Sequence, residues 1–207
     1  ERFQIETHTT ENDVVYWATK LMILFMKNDT EDEIFFNKIK LILPEDYVKM
    51  IFNTNSTDNS LETIFHLLVL ICSEHPDFAY IIASYQDPKT GGNKLFNYQY
   101  NLDILSFNVK VWYLRFLSIL VNVGHLDCFN VFFTGEFVAT ILQLFDPESI
   151  SLSKSCLLII NSIVQKINRE GHFAMLDVFH ELQFEELMDE FLEEATEKVL
   201  QDLGHQL

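Results

Sequence analysis

The sequence predicts an all-α protein built as a stack of repeated helical units. Three observations predict it. Apolar residues recur at three- and four-residue spacing along nearly the whole chain, and strict alternation is almost missing. Only six Gly and four Pro occur in 207 residues, too few for the many tight turns of an all-β fold. Finally, stretches 50 and 43 residues apart overlay on one another, the mark of a repeat architecture.

The first helix is expected over residues 12–26, with Val15, Ala18, Leu21, Met22 and Phe25 on one face. Acidic residues over 29–33 favour the positive end of a second helix, which carries Ile34, Phe35, Ile39 and Ile42. Pro44 ends it, and a short helix follows over 45–52. Polar residues 53–60 read as a loop, with Ser60 placed to cap the helix that runs on to Cys72. A short helix over 78–84 precedes an irregular stretch over 86–93 that holds Asp87-Pro88 and Gly91-Gly92. Another short helix is expected over 95–105, then a strongly apolar one over 108–122. Residues 127–168 read as three helices, with Gly135 dividing the first from the second and Asp146-Pro147 the second from the third. Past Gly171, stretches 172–181 and 184–203 supply the last two helices.

These elements group into copies over 12–74, 75–124, 125–168 and 169–207 of one domain. Leu70 to Phe78 overlays Leu120 to Phe129 after one slip at Cys128, and Val109 to Val121 overlays Leu152 to Val164. Each unit has apolar faces that it cannot bury alone, so the copies must stack. The stretch from Gly135 to Phe145, followed by the helix from Ser151 to Val164, resembles an armadillo repeat. That family has a Gly turn between its first and second helices and a long apolar third helix. The resemblance implies a right-handed α-solenoid of about three and a half armadillo-like three-helix repeats. Stacks with two helices per repeat are the near alternative. The chain opens at Glu1 rather than Met, as a fragment or a processed form would.

Charge narrows the partners. The net charge is −17, which disfavours nucleic acid, because phosphate neutralisation needs clustered Lys and Arg. It equally disfavours anionic membrane surfaces. The longest apolar runs, such as residues 64–72, are too short to span a bilayer. The expected partner is a protein, with a basic segment as its matching feature. Cys72, Cys128 and Cys156 are odd in number and widely spaced, which argues for free thiols in a reducing compartment, cytoplasmic or nuclear. No secretory leader is recognised at the start of the chain.

The resemblance also places a binding face. In armadillo arrays third helices line a concave surface, and the import receptors of the family hold basic peptides there with Trp and Asn one turn apart. The comparable pairs here are Thr19 and Ile23, Phe65 and Val69, Arg115 and Ile119, and Leu158 and Ser162. None is a Trp–Asn pair, so that peptide specificity does not carry over. The face is either an apolar groove for a partner segment or a buried surface. Arg115 is its one cation, suited to a carboxylate or phosphate. Trp17 and Trp112 lie beside these positions and are expected in the core. A second surface is the C-terminal helix. Leu187, Phe191, Ala195, Val199 and Leu203 line one side of it, and Glu186, Glu190 and Glu193 stand among the acids of the other.

No catalytic, cofactor-binding or metal-binding residue is assigned. His75 with Asp77, and His125 with Asp127, recur at equivalent places and read as helix-start residues rather than ligands, since no further ligands follow at metal spacing. Asp87 to Lys94 lacks the Gly and Lys spacing of a phosphate loop. The expectation is a non-catalytic scaffold or adaptor. The alternative is a regulatory subunit or domain controlling a partner enzyme or cytoskeletal assembly factor.

Overall fold

The computed structural model of the chain describes residues 11–28, 58–85, 102, 104–124, 134–146, 149–171, 173 and 176–194. Helix accounts for 86% of these residues and no strand occurs among them, so the protein is all-α. Eight helices are described: α1 (Glu11–Asn28), α2 (Asp58–Glu74), α3 (Pro76–Ala83), α4 (Phe107–Val123), α5 (Gly135–Leu142), α6 (Ile150–Glu170), α7 (Leu176–Glu181) and α8 (Phe184–Glu194). The helices expected over 29–52, the irregular stretch over 86–93, most of 95–105 and the first helix of 127–168 lie outside the described residues.

The long helices pack in chain order: α1 on α2, α2 on α4, and α4 on α6. Short α3 fills the angle between α2 and α4, while α5 touches α6 and α7. Contacts between α2 and α4 join residues 46 apart, at Glu62–Asn108 and again at His66–Trp112. Those between α4 and α6 join residues 40 apart, at Arg115–Ser155 and Asn122–Ser162. A constant separation means that α2, α4 and α6 run in the same direction. Yet α4 begins 49 residues after α2, and α6 begins 43 after α4. Other contacts lie nearer these offsets or beyond them: Phe65 meets Tyr113, 48 residues on, and Phe116, 51 on, and Lys166 meets Gly124, 42 back.

The core lies between these helices. Phe65 is fully buried, with its ring 5.1 Å from Tyr113 and 5.9 Å from Phe116. Leu68, Ile71, Leu117, Leu120, Ile159, Ile160 and Ile163 are among the other buried residues around it. Helix α6 is long and apolar enough to cross a membrane by length and composition, but 61% of its apolar window is buried inside the molecule. Its buried Ser153, Ser155, Ser162 and Lys166 are each hydrogen-bonded, as burial of polar groups requires.

Several boundaries differ from expectation for local reasons. Ser60 does not cap α2, because the helix already starts at Asp58 and Ser60 is buried in its first turn. Thr63 Oγ1 donates to the Asn59 and Ser60 carbonyls there. Among the α1 side chains described, Thr19 and Ile23 are buried and Met22 partly so, whereas Ala18 is exposed and Leu21 is 53% exposed; those of Val15 and Phe25 lie outside the described residues. This helix is apolar around much of its girth, so the periodic pattern alone does not fix which side turns inward. Gly135 is the first residue of α5 rather than a turn glycine: Thr134 is the N-cap, and its Oγ1 accepts from Phe137 N at 3.3 Å. A Cβ at Gly135 would meet Val178 Cγ1 at 3.4 Å, an ordinary contact. Helix α6 extends past Val164 because Lys166 and Ile167 continue the buried stripe. It stops at Gly171, whose φ of 75° is left-handed. The Asp146 loop before α6 is fixed by Ser153, which donates to Asp146 O at 2.7 Å and accepts from Asp146 N at 3.0 Å. Of the helix expected over 172–181, α7 covers Leu176–Glu181, and residues 172, 174 and 175 lie outside the described residues.

Candidate protein-interaction face

One side of α2, α4 and α6 carries a shared set of exposed and partly exposed side chains. On α4 the uncovered positions recur at four- and three-residue spacing: Asn108, Trp112, Arg115, Ile119 and Asn122. Glu62, His66, Val69 and Ser73 take the same part on α2, and Ser151, Lys154, Leu158, Asn161 and Gln165 on α6.

Polar contacts stitch the seams. Asn108 Nδ2 donates to Glu62 Oε2 at 3.2 Å. The His66 ring stacks on Trp112 with centroids 3.8 Å apart and planes 12° from parallel. Arg115 lies over the same indole, 5.0 Å from its centroid, an arrangement that contributes about 0.5–1 kcal/mol at a half-exposed site. Across the next seam Arg115 Nε donates to Ser155 Oγ at 3.2 Å, and Asn122 Nδ2 donates to Ser162 Oγ at 3.0 Å. Both serines donate backwards to carbonyls one turn earlier, Ser155 to Ser151 O at 2.8 Å and Ser162 to Leu158 O at 2.9 Å. Each hydroxyl thus spends its proton on its own helix and offers its lone pairs to α4. Burial lowers the Arg115 pKa from its ordinary value, though a guanidinium stays charged.

Of the sequence-predicted positions, Val69, Arg115, Ile119 and Leu158 are partly exposed on this face. Thr19, Ile23, Phe65 and Ser162 are buried and cannot line an open groove. At α2 the error is one residue: His66 faces out where Phe65 was expected, and one residue turns a helix by about 100°. Trp17 is not a core residue as expected, and Trp112 meets the expectation only in part, packing against the core from its edge. Trp17 is 62% exposed, its ring edge-on to Tyr16, and Trp112 is half-buried on the face itself. His66, Trp112, Asn108, Asn122 and Lys154 were missed. The signal that would have found the α4 members is its own 4-3-4-3 stripe, which picks out every polar residue of that helix except Lys110 and the small Ser118 and, at Tyr113, a buried hydroxyl-bearing ring.

At α8, Glu186 and Glu193 are exposed together with Glu185 and Asp189, while the side chain of Glu190 and residues 195–207 lie outside the described residues. Met188, which the four-residue stripe through Leu187 leaves out, is buried, and Phe184 meets Phe179 edge-on at 5.2 Å.

Chemistry elsewhere is sparse. Among the described residues no three His, Cys, Asp or Glu converge as metal ligands. Burial pushes the Cys72 thiol up to about 12; at Cys156 burial does the same against the opposing pull of a backbone hydrogen bond, again to about 12. Both are held as neutral thiols, without the thiolate that nucleophilic or redox chemistry needs. His75 does stand at a helix start, but its side chain makes no cap bond; its carbonyl instead accepts from Phe78 N and Ala79 N. His125, Asp127 and the loop over 87–94 lie outside the described residues.

Fold and face together define an all-α protein with a mixed aromatic and polar surface across three parallel helices. The chain matches no protein-family model, no curated protein and no solved structure.

Proposed function

We propose that the protein is a non-catalytic interaction scaffold, an armadillo-like α-solenoid that holds a segment of a partner protein across α2, α4 and α6. Same-direction long helices separated by short ones support the solenoid reading. One observation carries the binding reading: Trp112, partly exposed, lies at the centre of the face, fixed by His66 and Arg115. A rigid aromatic beside an arginine is the composition of an interface anchor. Buried free thiols fit a reducing cytoplasmic or nuclear setting. The exposed acids of α8 provide a second surface, complementary to a basic segment.

The test is affinity capture with the wild type beside Trp112→Ala. Specific partners should be lost from the variant while its helicity and melting temperature stay within a few degrees of wild type. Retention of every partner sinks the assignment of this face.

A further inference from the structure

We infer that the segment held on this face is acidic: a carboxylate beside an apolar side chain, gripped by Arg115 and Lys154 next to Trp112. This rests on the binding reading just proposed and names the chemistry of its partner. The chain has 31 acidic residues against 14 basic ones, so an ordinary patch of its surface should be acidic. Helices α4 and α6 are the reverse. Helix α4 carries Lys110 and Arg115 and no acid, and α6 carries Lys154, Lys166 and Arg169 with a single acid, Glu170, at its last position. That one acid pairs with Lys166 at 2.9 Å. Neither Arg115 nor Lys154 forms an ion pair among the described residues.

Arg115 is already in position for an outside acceptor. Its Nε is committed to Ser155 and its plane to Trp112, which leaves the terminal amino groups for a carboxylate in the fork geometry that guanidinium favours. Half-burying this cation costs hydration that no internal carboxylate returns. Lys154 is the residue before Ser155, on the uncovered side of α6. Ile119 stands one turn beyond Arg115, and Leu158 one turn beyond Lys154, both partly exposed. They provide an apolar seat beside the anion.

The net charge of −17 repels a polyanion. It acts weakly on one carboxylate in contact, because charges beyond about 8 Å are screened at physiological salt. A short peptide with one or two acids therefore fits where nucleic acid does not.

The experiment is selection of a random peptide display library on the full chain, followed by titration of the selected peptides. Enriched peptides should carry Asp or Glu next to Leu, Ile or an aromatic residue. Changing that acid to its amide should weaken binding on the order of 10- to 100-fold. Arg115→Gln and Lys154→Ala should each weaken it about tenfold, and Arg115→Lys should restore part of the loss. Lys154→Ala, at a partly exposed site without an ion pair among the described residues, keeps the test open if Arg115→Gln alters the melting temperature. Peptides sensitive to Trp112→Ala but indifferent to both cation changes would overturn the acidic assignment and leave the face standing. Peptides indifferent to Trp112→Ala would overturn both. Tighter binding of an oligothymidylate than of any selected peptide would also overturn it.

Discussion

At Gly171 the backbone sits at φ 75° and ψ 22°, and nothing lies within 4 Å of where a Cβ would be. The effect of a side chain there is therefore purely one of backbone conformation. Gly171→Ala should cost about 1 kcal/mol, the left-handed penalty less the entropy lost by the unfolded chain. Gln183, between α7 and α8, holds φ 53° without being glycine. Gln183→Gly should therefore move stability the other way, by about 0.5 kcal/mol. Chemical denaturation of the two variants checks the opposite signs. The thiols make a second prediction. Cys72 and Cys156 are raised from 9.0 to about 12 in the folded protein. The unfolded chain thus releases these protons first, and stability present below pH 9 is lost as pH rises toward 12. Near pH 10 the loss is roughly 1 kcal/mol per thiol. A Cys72→Ala, Cys156→Ala double variant should show a flatter alkaline limb in its stability–pH curve than wild type.

Elements hold one another through a few polar ties across the seams. Lys166, buried on α6, donates to Gly124 O at the end of α4 and pairs with Glu170 on its own helix. It closes the last turn of α4 from outside, where the carbonyls have no partner within the helix. Lys166→Met keeps the aliphatic stem and should cost about 1–2 kcal/mol, because it leaves that buried carbonyl unsatisfied. A melting scan or urea titration reads the loss. Element by element, α4 was the most legible: the sequence placed it over 108–122 and it spans Phe107–Val123. Its apolar residues are dense, and Ser106 and Gly124 stop the pattern on both sides. The end of α6 was legible to within two residues, at 168 against Glu170, although Lys166 looks like a solvent residue until its carbonyl partner is known. The facing of α1 and α2 was legible only to within one residue. Phe65 and His66 differ by one step, and only neighbouring Tyr113 and Trp112 decide which of them turns inward. For the same reason Arg115, the lone cation of its stripe, was found from sequence, and the stacked rings beside it were not.

Across the whole molecule, charge is divided by helix. Acids stand exposed on α8, and α4 and α6 are nearly free of them. The net charge of −17 says nothing of this division, which is why overall composition favoured a basic partner. The shared direction of the three long helices also bears on the ligand's length. With helix axes about 9–10 Å apart, a strand that crosses α2, α4 and α6 spans two steps of roughly 19 Å in all, which is about six residues of extended chain. A recognition element of that length fits within a single loop or tail of the partner.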